Sequence, residues 1–214
     1  MRVLLADDHA IVRQGLRSLL ENKAKVDVIA EASDGREAVS MAKEMRPDLV
    51  IMDIAMPGLN GLEALLQLKS LEFPLKVIIL SMHVEENYVT RALRSGASGY
   101  VYKGSAFDDL ELAMKAVSKD QAFLSPAVSQ VLVNELINVN PESKINRQLE
   151  LLSPREREIL QLLAEEKSRS QIGHILSISV KTVDRHKENL KEKLQIKREG
   201  DIAALAKSFG LTDY

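Results

Sequence analysis

The chain has 214 residues, 45% of them hydrophobic and 28% charged, with a formal net charge of −2. That balance fits a globular protein of one or two domains and excludes a disordered chain. The absence of cysteine excludes a disulfide scaffold, a thiolate zinc site and a cysteine nucleophile.

Along residues 1–124, short apolar runs alternate with longer helix-periodic segments. The runs are Val3–Ala6, Val26–Ala30, Leu49–Met52, Val77–Leu80 and Gly99–Tyr102. Between the first two, Ile11, Val12, Leu16, Leu19 and Leu20 share one helical face, and Ala38, Val39, Met41, Ala42 and Met45 line the next helix. Five strands alternating with helices predict an α/β domain with a five-stranded parallel sheet, flavodoxin-like and doubly wound. Runs such as LVIMD and VIIL are apolar on consecutive residues, as strands buried on both faces are. Residues 125–149 form a linker with one helix over Val128–Ile137, and their second half is rich in Asn, Pro, Glu, Ser and Lys. Residues 150–214 carry only helical signals: a first helix opened by Ser153, Pro154 and Glu156, then Ser168–Leu176, Ser179–Leu194 and Glu199–Phe209. Glu165 and Glu166 stand where a turn is expected and predict that the first of these helices runs slightly further. No run approaches the ~20 apolar residues of a membrane span. The N-terminal run MRVLLADD meets acids too soon for a signal peptide, so a cytoplasmic protein without a membrane partner is expected.

Charge is sorted along the chain. Residues 1–124 carry 15 basic and 18 acidic side chains, whereas residues 181–198 hold seven basic and three acidic ones. In an open α/β sheet, function sits at the carboxyl ends of the strands. There the first strand ends in Asp7 and Asp8, the third in Asp53 and the fourth in Ser81, and Lys103 follows the fifth. Clustered carboxylates repel unless a cation neutralises them, and hard oxygen ligands suit Mg²⁺. One carboxylate then serves as a nucleophile toward a phosphoryl group, with lysine and hydroxyl stabilising the spreading charge.

The segments ADDH at 6–9, MDIAMPGLNGLEAL at 52–65, LSMH at 80–83 and SGASGYVYK at 95–103 resemble the receiver domain of two-component response regulators. The resemblance implies that Asp53 accepts a phosphoryl group from a sensor histidine kinase. It also implies that Asp8, Asp53 and the backbone carbonyl of Ala55 bind Mg²⁺ directly, with Asp7 acting through water. Ser81 and Lys103 would contact the phosphoryl oxygens, and Tyr100 would be the aromatic switch that moves into the space Ser81 vacates. Output would appear on the face of the fourth helix, fifth strand and fifth helix, roughly Glu86–Ser118. Pro57, Gly58 and Gly61 would shape the loop beneath the site, and Gly104 would give the backbone extra freedom after Lys103. A phosphohydrolase with an aspartyl-phosphate intermediate is the rival reading. Ala55, where such enzymes need a second acid, argues against it.

Four short helices with a basic third one suggest a helix-turn-helix. Within residues 152–194, LSPRERE, then IS-x-KTV-x-x-H, then a KL ending resemble the LuxR-type DNA-binding domain. Together with the receiver, the chain is similar to the NarL/FixJ group of response regulators. This implies a recognition helix at Val180–Leu194 in the major groove of double-stranded promoter DNA. Lys181, Thr182, Lys191 and Lys193 would then meet phosphates, and Asp184, Arg185 and Glu188 would sit where base edges are read. It also implies a homodimer on activation, with Ile202, Leu205, Ala206 and Phe209 as its surface, core packing being the competitor. The expected domains are a receiver at 1–124, the linker at 125–149 and the DNA-binding domain at 150–214. The protein would accept a phosphoryl group and dephosphorylate itself, without acting on outside substrates.

Overall fold

The computed structural model describes residues 1–24, 26–105, 107–138, 151–194, 196, 201–208 and 211. The chain forms two compact units, Met1–Val139 and Asn140–Tyr214.

The first unit alternates strands and helices: β1 Arg2–Ala6, α1 Ala10–Leu19, β2 Asp27–Ala32, α2 Gly35–Met45, β3 Leu49–Met52, α3 Gly61–Lys69, β4 Lys76–Ser81, α4 Glu86–Arg94, β5 Gly99–Tyr102, α5 Phe107–Ser118, β6 Phe123–Leu124 and α6 Pro126–Asn138. The strands form one parallel sheet in the order β2-β1-β3-β4-β5-β6. The parallel doubly wound fold is as expected, but the sheet has six strands rather than five. β6 escaped notice because it is two half-buried residues long, paired Gly99 to Phe123 and Tyr100 to Leu124. Alternate β-strand residues point to opposite faces, and they feed two core layers. Leu4, Val50, Met52, Val77 and Ile79 pack against α2, α3 and α4, whereas Val3, Leu5, Ile51, Ile78 and Leu80 pack against α5.

Two expectations change here. The helix assigned to a linker starts earlier, at Pro126, and packs on this unit: Val128 is fully buried in its core and Leu132 lies partly buried against it. In α1 the apolar face is only partly used. Leu16 packs on the core and Leu20, just past the helix, is buried, but Ile11 is 85% exposed. The remainder of the expected linker, 139–149, lies outside the described residues.

The second unit contains α7 Pro154–Ala164, α8 Arg169–Leu176, α9 Val180–Leu194 and α10 Asp201–Ser208. Ser153 and Glu156 form the capping box the sequence signals, and Ser168 with Gln171 forms a second one. The first helix does not run on through its two glutamates. It ends at Ala164, and Glu166 adopts a left-handed φ of 57°. Lys167 N–H donates to Leu162 O at 3.0 Å and Glu166 N–H to Leu163 O at 3.1 Å, the paired closure that stops a helix. Satisfying those two carbonyls offsets the steric cost of a left-handed glutamate. Ile202 and Ala206 of α10 are buried with Leu160, Leu190 and Leu194, so core packing takes the residues also considered as a dimer surface. Phe209 lies outside the described residues. No helix among the described residues is long and apolar enough to cross a membrane.

Candidate functional site

Parallel strands place their carboxyl ends at one edge, and the register aligns them closely. Asp53 N–H donates to Ala6 O at 2.8 Å, tying the end of β3 to the end of β1, and Lys103 N–H donates to Ser81 O at 2.8 Å, tying the residue after β5 to the end of β4. The backbone ladder therefore delivers Asp7, Asp8, Asp53, Ser81 and Lys103 to one place. Asp7, Asp53 and Ser81 are buried. The Lys103 ammonium lies 2.7 Å from Asp7 Oδ2 and also pairs with Asp53. Ile54 N–H donates to Asp53 Oδ1 at 2.7 Å, and His9 N–H to Asp7 Oδ1 at 2.9 Å. Asp8 is half-buried, with His9 Nδ1 2.7 Å from its Oδ1.

One ligand atom each from Asp7, Asp8, His9 and Asp53 lie within 4.8 Å of one another. Three of these are carboxylate oxygens, a donor set that could hold a hard divalent cation. Burial pushes the Asp53 carboxyl up, as does nearby Asp7, while Lys103 pulls it down. Burial alone would lower the Lys103 ammonium, but Asp53 and Asp7 together raise it. Both directions express one fact: more negative charge is buried here than a single ammonium balances.

Gly61 makes this edge possible. A Cβ there would stand 2.0 Å from Asp53 O, so any side chain would push α3 off the strand end. Asn60 caps α3 by accepting Glu63 N–H at 2.9 Å, and Gly58 takes a left-handed φ of 75°. Ala55 lies in this loop. A Cβ at Gly104 would lie 2.3 Å from the Tyr102 ring.

The Tyr100 side chain is fully buried, and its hydroxyl donates to His83 O at 2.6 Å. That inward position lies beside Ser81, where an aromatic switch would act. Burial pushes its phenol up, against a hydrogen bond with Ser81. Ser81 Oγ accepts His83 N–H at 3.2 Å. The His83 ring stacks on Tyr88 of α4 with centroids 4.4 Å apart. That stacking and the buried Glu63–Arg91 ion pair between α3 and α4 escaped the sequence reading, because each residue sits in a pattern that also suits a solvated face.

The second unit presents a different surface. Val183, Leu190 and Leu194 face the core of the unit, and His186 beside them is half-buried. Lys181 and Arg185 are exposed and make no hydrogen bond or ion pair among the described residues. Glu188 is exposed and Lys191 half-buried. The Thr182 hydroxyl is 2.8 Å from Ser179 Oγ, and Ser179 accepts Thr182 N–H at 3.1 Å, which starts the helix. Two expected DNA residues are engaged inside the protein. Lys193 Nζ lies 2.7 Å and 3.1 Å from the carboxylate oxygens of Glu156, and Asp184 faces Arg169 of α8. Lys193 thus turns away from Lys181 and Arg185 toward the capping box of α7. Burial would raise the Glu156 carboxyl, but Lys193 and Ser153 hold it below the ordinary carboxylate range.

A family model of the response regulator receiver domain matches residues 3–115, and one of bacterial regulatory proteins of the luxR family matches residues 150–206. The chain is 37% identical to the oxygen regulatory protein NreC of Staphylococcus haemolyticus, across 100% of both chains. It is 35% identical to the transcriptional regulatory protein DegU of Brevibacillus brevis, across 92% of this chain and 88% of DegU. Among solved structures, RcsB of Salmonella enterica serovar Typhimurium, bound to promoter rprA in the presence of phosphomimetic BeF3⁻, matches 97% of this chain and 98% of RcsB. That match has a TM-score of 0.62 at 28% identity. A buried acidic edge at the strand ends, a helix-turn-helix unit and full-length kinship with regulators place the chain in one family: it is a two-component response regulator with a receiver domain and a LuxR-type DNA-binding domain, not an enzyme acting on outside substrates.

Proposed function

We propose that Asp53 is the phosphoacceptor of this regulator and that its phosphorylation controls dimerisation and binding to double-stranded promoter DNA. The observation that carries this is the Lys103 ammonium shared by two buried carboxylates at the strand ends. Transfer from a sensor histidine kinase is in-line: an Asp53 oxygen attacks phosphorus, the donor's P–N bond breaks, and the histidine nitrogen leaves. Lys103 and the Ser81 hydroxyl then meet the phosphoryl oxygens. Asp8, Asp53 and the Ala55 carbonyl would hold Mg²⁺ with Asp7 behind a water, and the ion would neutralise charge on the transferring group. The phosphoryl group adds about −1.5 to −2 charges at pH 7. Recruiting Ser81 to it frees His83 N–H and loosens the contact with Tyr100.

On the DNA side, Lys181, Thr182 and Lys191 would meet phosphates and Arg185 would read a base edge, with α9 in the major groove. The receiver would occupy residues 1–124, with α6 packed on it over Pro126–Asn138, and the DNA-binding domain residues 150–214. The protein would work in the cytoplasm. RcsB, a relative over nearly its whole length, has been solved on promoter DNA with a phosphomimetic present, which supports this reading. The test is light scattering with Mg²⁺ and beryllofluoride, comparing wild type with Asp53→Asn. A shift from monomer to dimer in wild type alone is expected; no shift in either protein, with or without DNA, rejects the control by dimerisation.

A further inference from the structure

The recognition helix of a DNA-binding unit gains by being basic, yet α9 carries Asp184 on its second turn, next to Arg185. A carboxylate there faces either a base that donates to it or a phosphate that repels it. The structure offers it another partner. Arg169, the first residue of α8, places Nη1 3.3 Å from Asp184 Oδ1 and 3.5 Å from Oδ2. The arginine side chain is 62% exposed and the aspartate 38%. Neither makes another hydrogen bond or ion pair among the described residues. A guanidinium has five N–H donors, so the pairing leaves most of Arg169's donors directed at solvent.

In a helix-turn-helix, the helix before the recognition helix crosses the DNA backbone. The first turn of α8 is therefore set to meet phosphate rather than base. A guanidinium there, oriented by a carboxylate behind it, can take a phosphate in fork geometry. We propose that Arg169 is a phosphate-contacting residue and that Asp184 is a positioning residue which holds it, rather than a reader of cytosine. This rests on the DNA-binding reading above. An exposed pair at these distances contributes little to folding, so its use lies in what it does when DNA arrives. Arg169 also masks Asp184, so losing the arginine removes one attraction and uncovers one repulsion.

That double role gives the pair a signature no simple charge count produces. Full-length wild type, Arg169→Ala, Arg169→Lys, Asp184→Ala and the double alanine variant are titrated by fluorescence anisotropy. The probes are a random-sequence duplex and a duplex selected by wild type from a randomised pool, each across a salt series. Arg169→Ala should weaken binding to both duplexes about tenfold at low salt, the scale of one charge-assisted contact. Its log K against log salt slope should shrink by about 0.9, one phosphate's worth. Arg169→Lys should keep the slope. Asp184→Ala should leave random-duplex affinity within about twofold in wild type but strengthen binding at least threefold in the Arg169→Ala background, as removal of an unmasked acid requires.

Equal slopes for wild type and Arg169→Ala overturn the proposal. So does an Asp184→Ala variant that loses discrimination at one base pair equally in both backgrounds, since that is direct reading of cytosine. Failure of wild type to bind either duplex rejects the DNA-binding reading and this inference together. Retained wild-type binding with loss on Lys181→Ala but not on Arg169→Ala rejects this inference alone.

Discussion

The acidic edge of the receiver and the basic surface of α9 arrange their charges in opposite ways, and on the proposed reading both would meet phosphate. The receiver gathers residues from four strand ends into a buried cluster where each depends on its neighbours; Lys103 alone serves two carboxylates. The α9 surface spreads its groups along one helix, with Lys181 and Arg185 exposed and independent. In the first, low dielectric makes every charge matter, and loss of one strands the others. In the second, water screens each charge, so contributions are modest and nearly additive.

That contrast breaks most readily at Lys103. Lys103→Met leaves Asp7 and Asp53 buried without their cation and should cost about 3–5 kcal/mol in urea unfolding without metal. Saturating Mg²⁺ should return about 2.7 kcal/mol at a hundredfold excess over Kd. If stability is unchanged, the cluster is not cooperative and the comparison fails. The wild-type pH profile gives a second view. Asp53 holds its proton to higher pH when folded than when unfolded, so the folded state binds more protons across that window. Its contribution therefore declines as pH rises from the ordinary carboxylate range through the raised value, and Mg²⁺ should flatten the decline.

A smaller effect tests whether the second unit has a buried charge of its own. Glu156 is held below the ordinary carboxylate range, so its contribution is present at neutral pH and lost as pH falls through that lowered value. Glu156→Gln should cost about 1 kcal/mol at pH 7, on the scale of a helix cap, and flatten that part of the acid profile. Smaller again, and on DNA rather than on folding, Lys181→Ala should reduce the salt slope by about 0.9. Lys193→Ala should leave the slope alone and act on stability instead; equal slopes for the two variants would show that Lys193 leaves Glu156 to meet DNA. Smallest is Glu166→Gly, which relieves a left-handed glutamate and should raise stability by up to about 1 kcal/mol, read as a higher Tm.

The same contrast explains what could be read in advance. Strand runs such as LVIMD carry their own period, and Asp7, Asp8, Asp53, Ser81 and Lys103 each stand next to one, so the parallel register brings them together without further information. The Ser153–Glu156 capping box is legible because its partners are three residues apart. Contacts across elements left no such trace. Arg169 with Asp184, Lys193 with Glu156, and Glu63 with Arg91 are pairs whose members look like ordinary surface charges until the helices are packed. Charge alone does not say which side of α9 Lys193 leaves from, so its Glu156 partner cannot be read from the sequence. β6 went unread because two residues have no period.

That short strand has a mechanical meaning. Ser125, fully buried, gives its N–H to Tyr100 O at 3.0 Å and receives Tyr102 N–H on Oγ at 3.2 Å. With β6 in place, the edge that β5 would offer to a foreign strand is already filled by the chain's own continuation. The polypeptide on its way out of the receiver is therefore stitched, rung by rung, to the strand that carries Tyr100 and leads into Lys103. A slide of β5 must either drag Phe123–Ser125 with it or break bonds worth about 1 kcal/mol each. Slack between the acidic edge and the start of α6 is confined to whatever those few rungs allow.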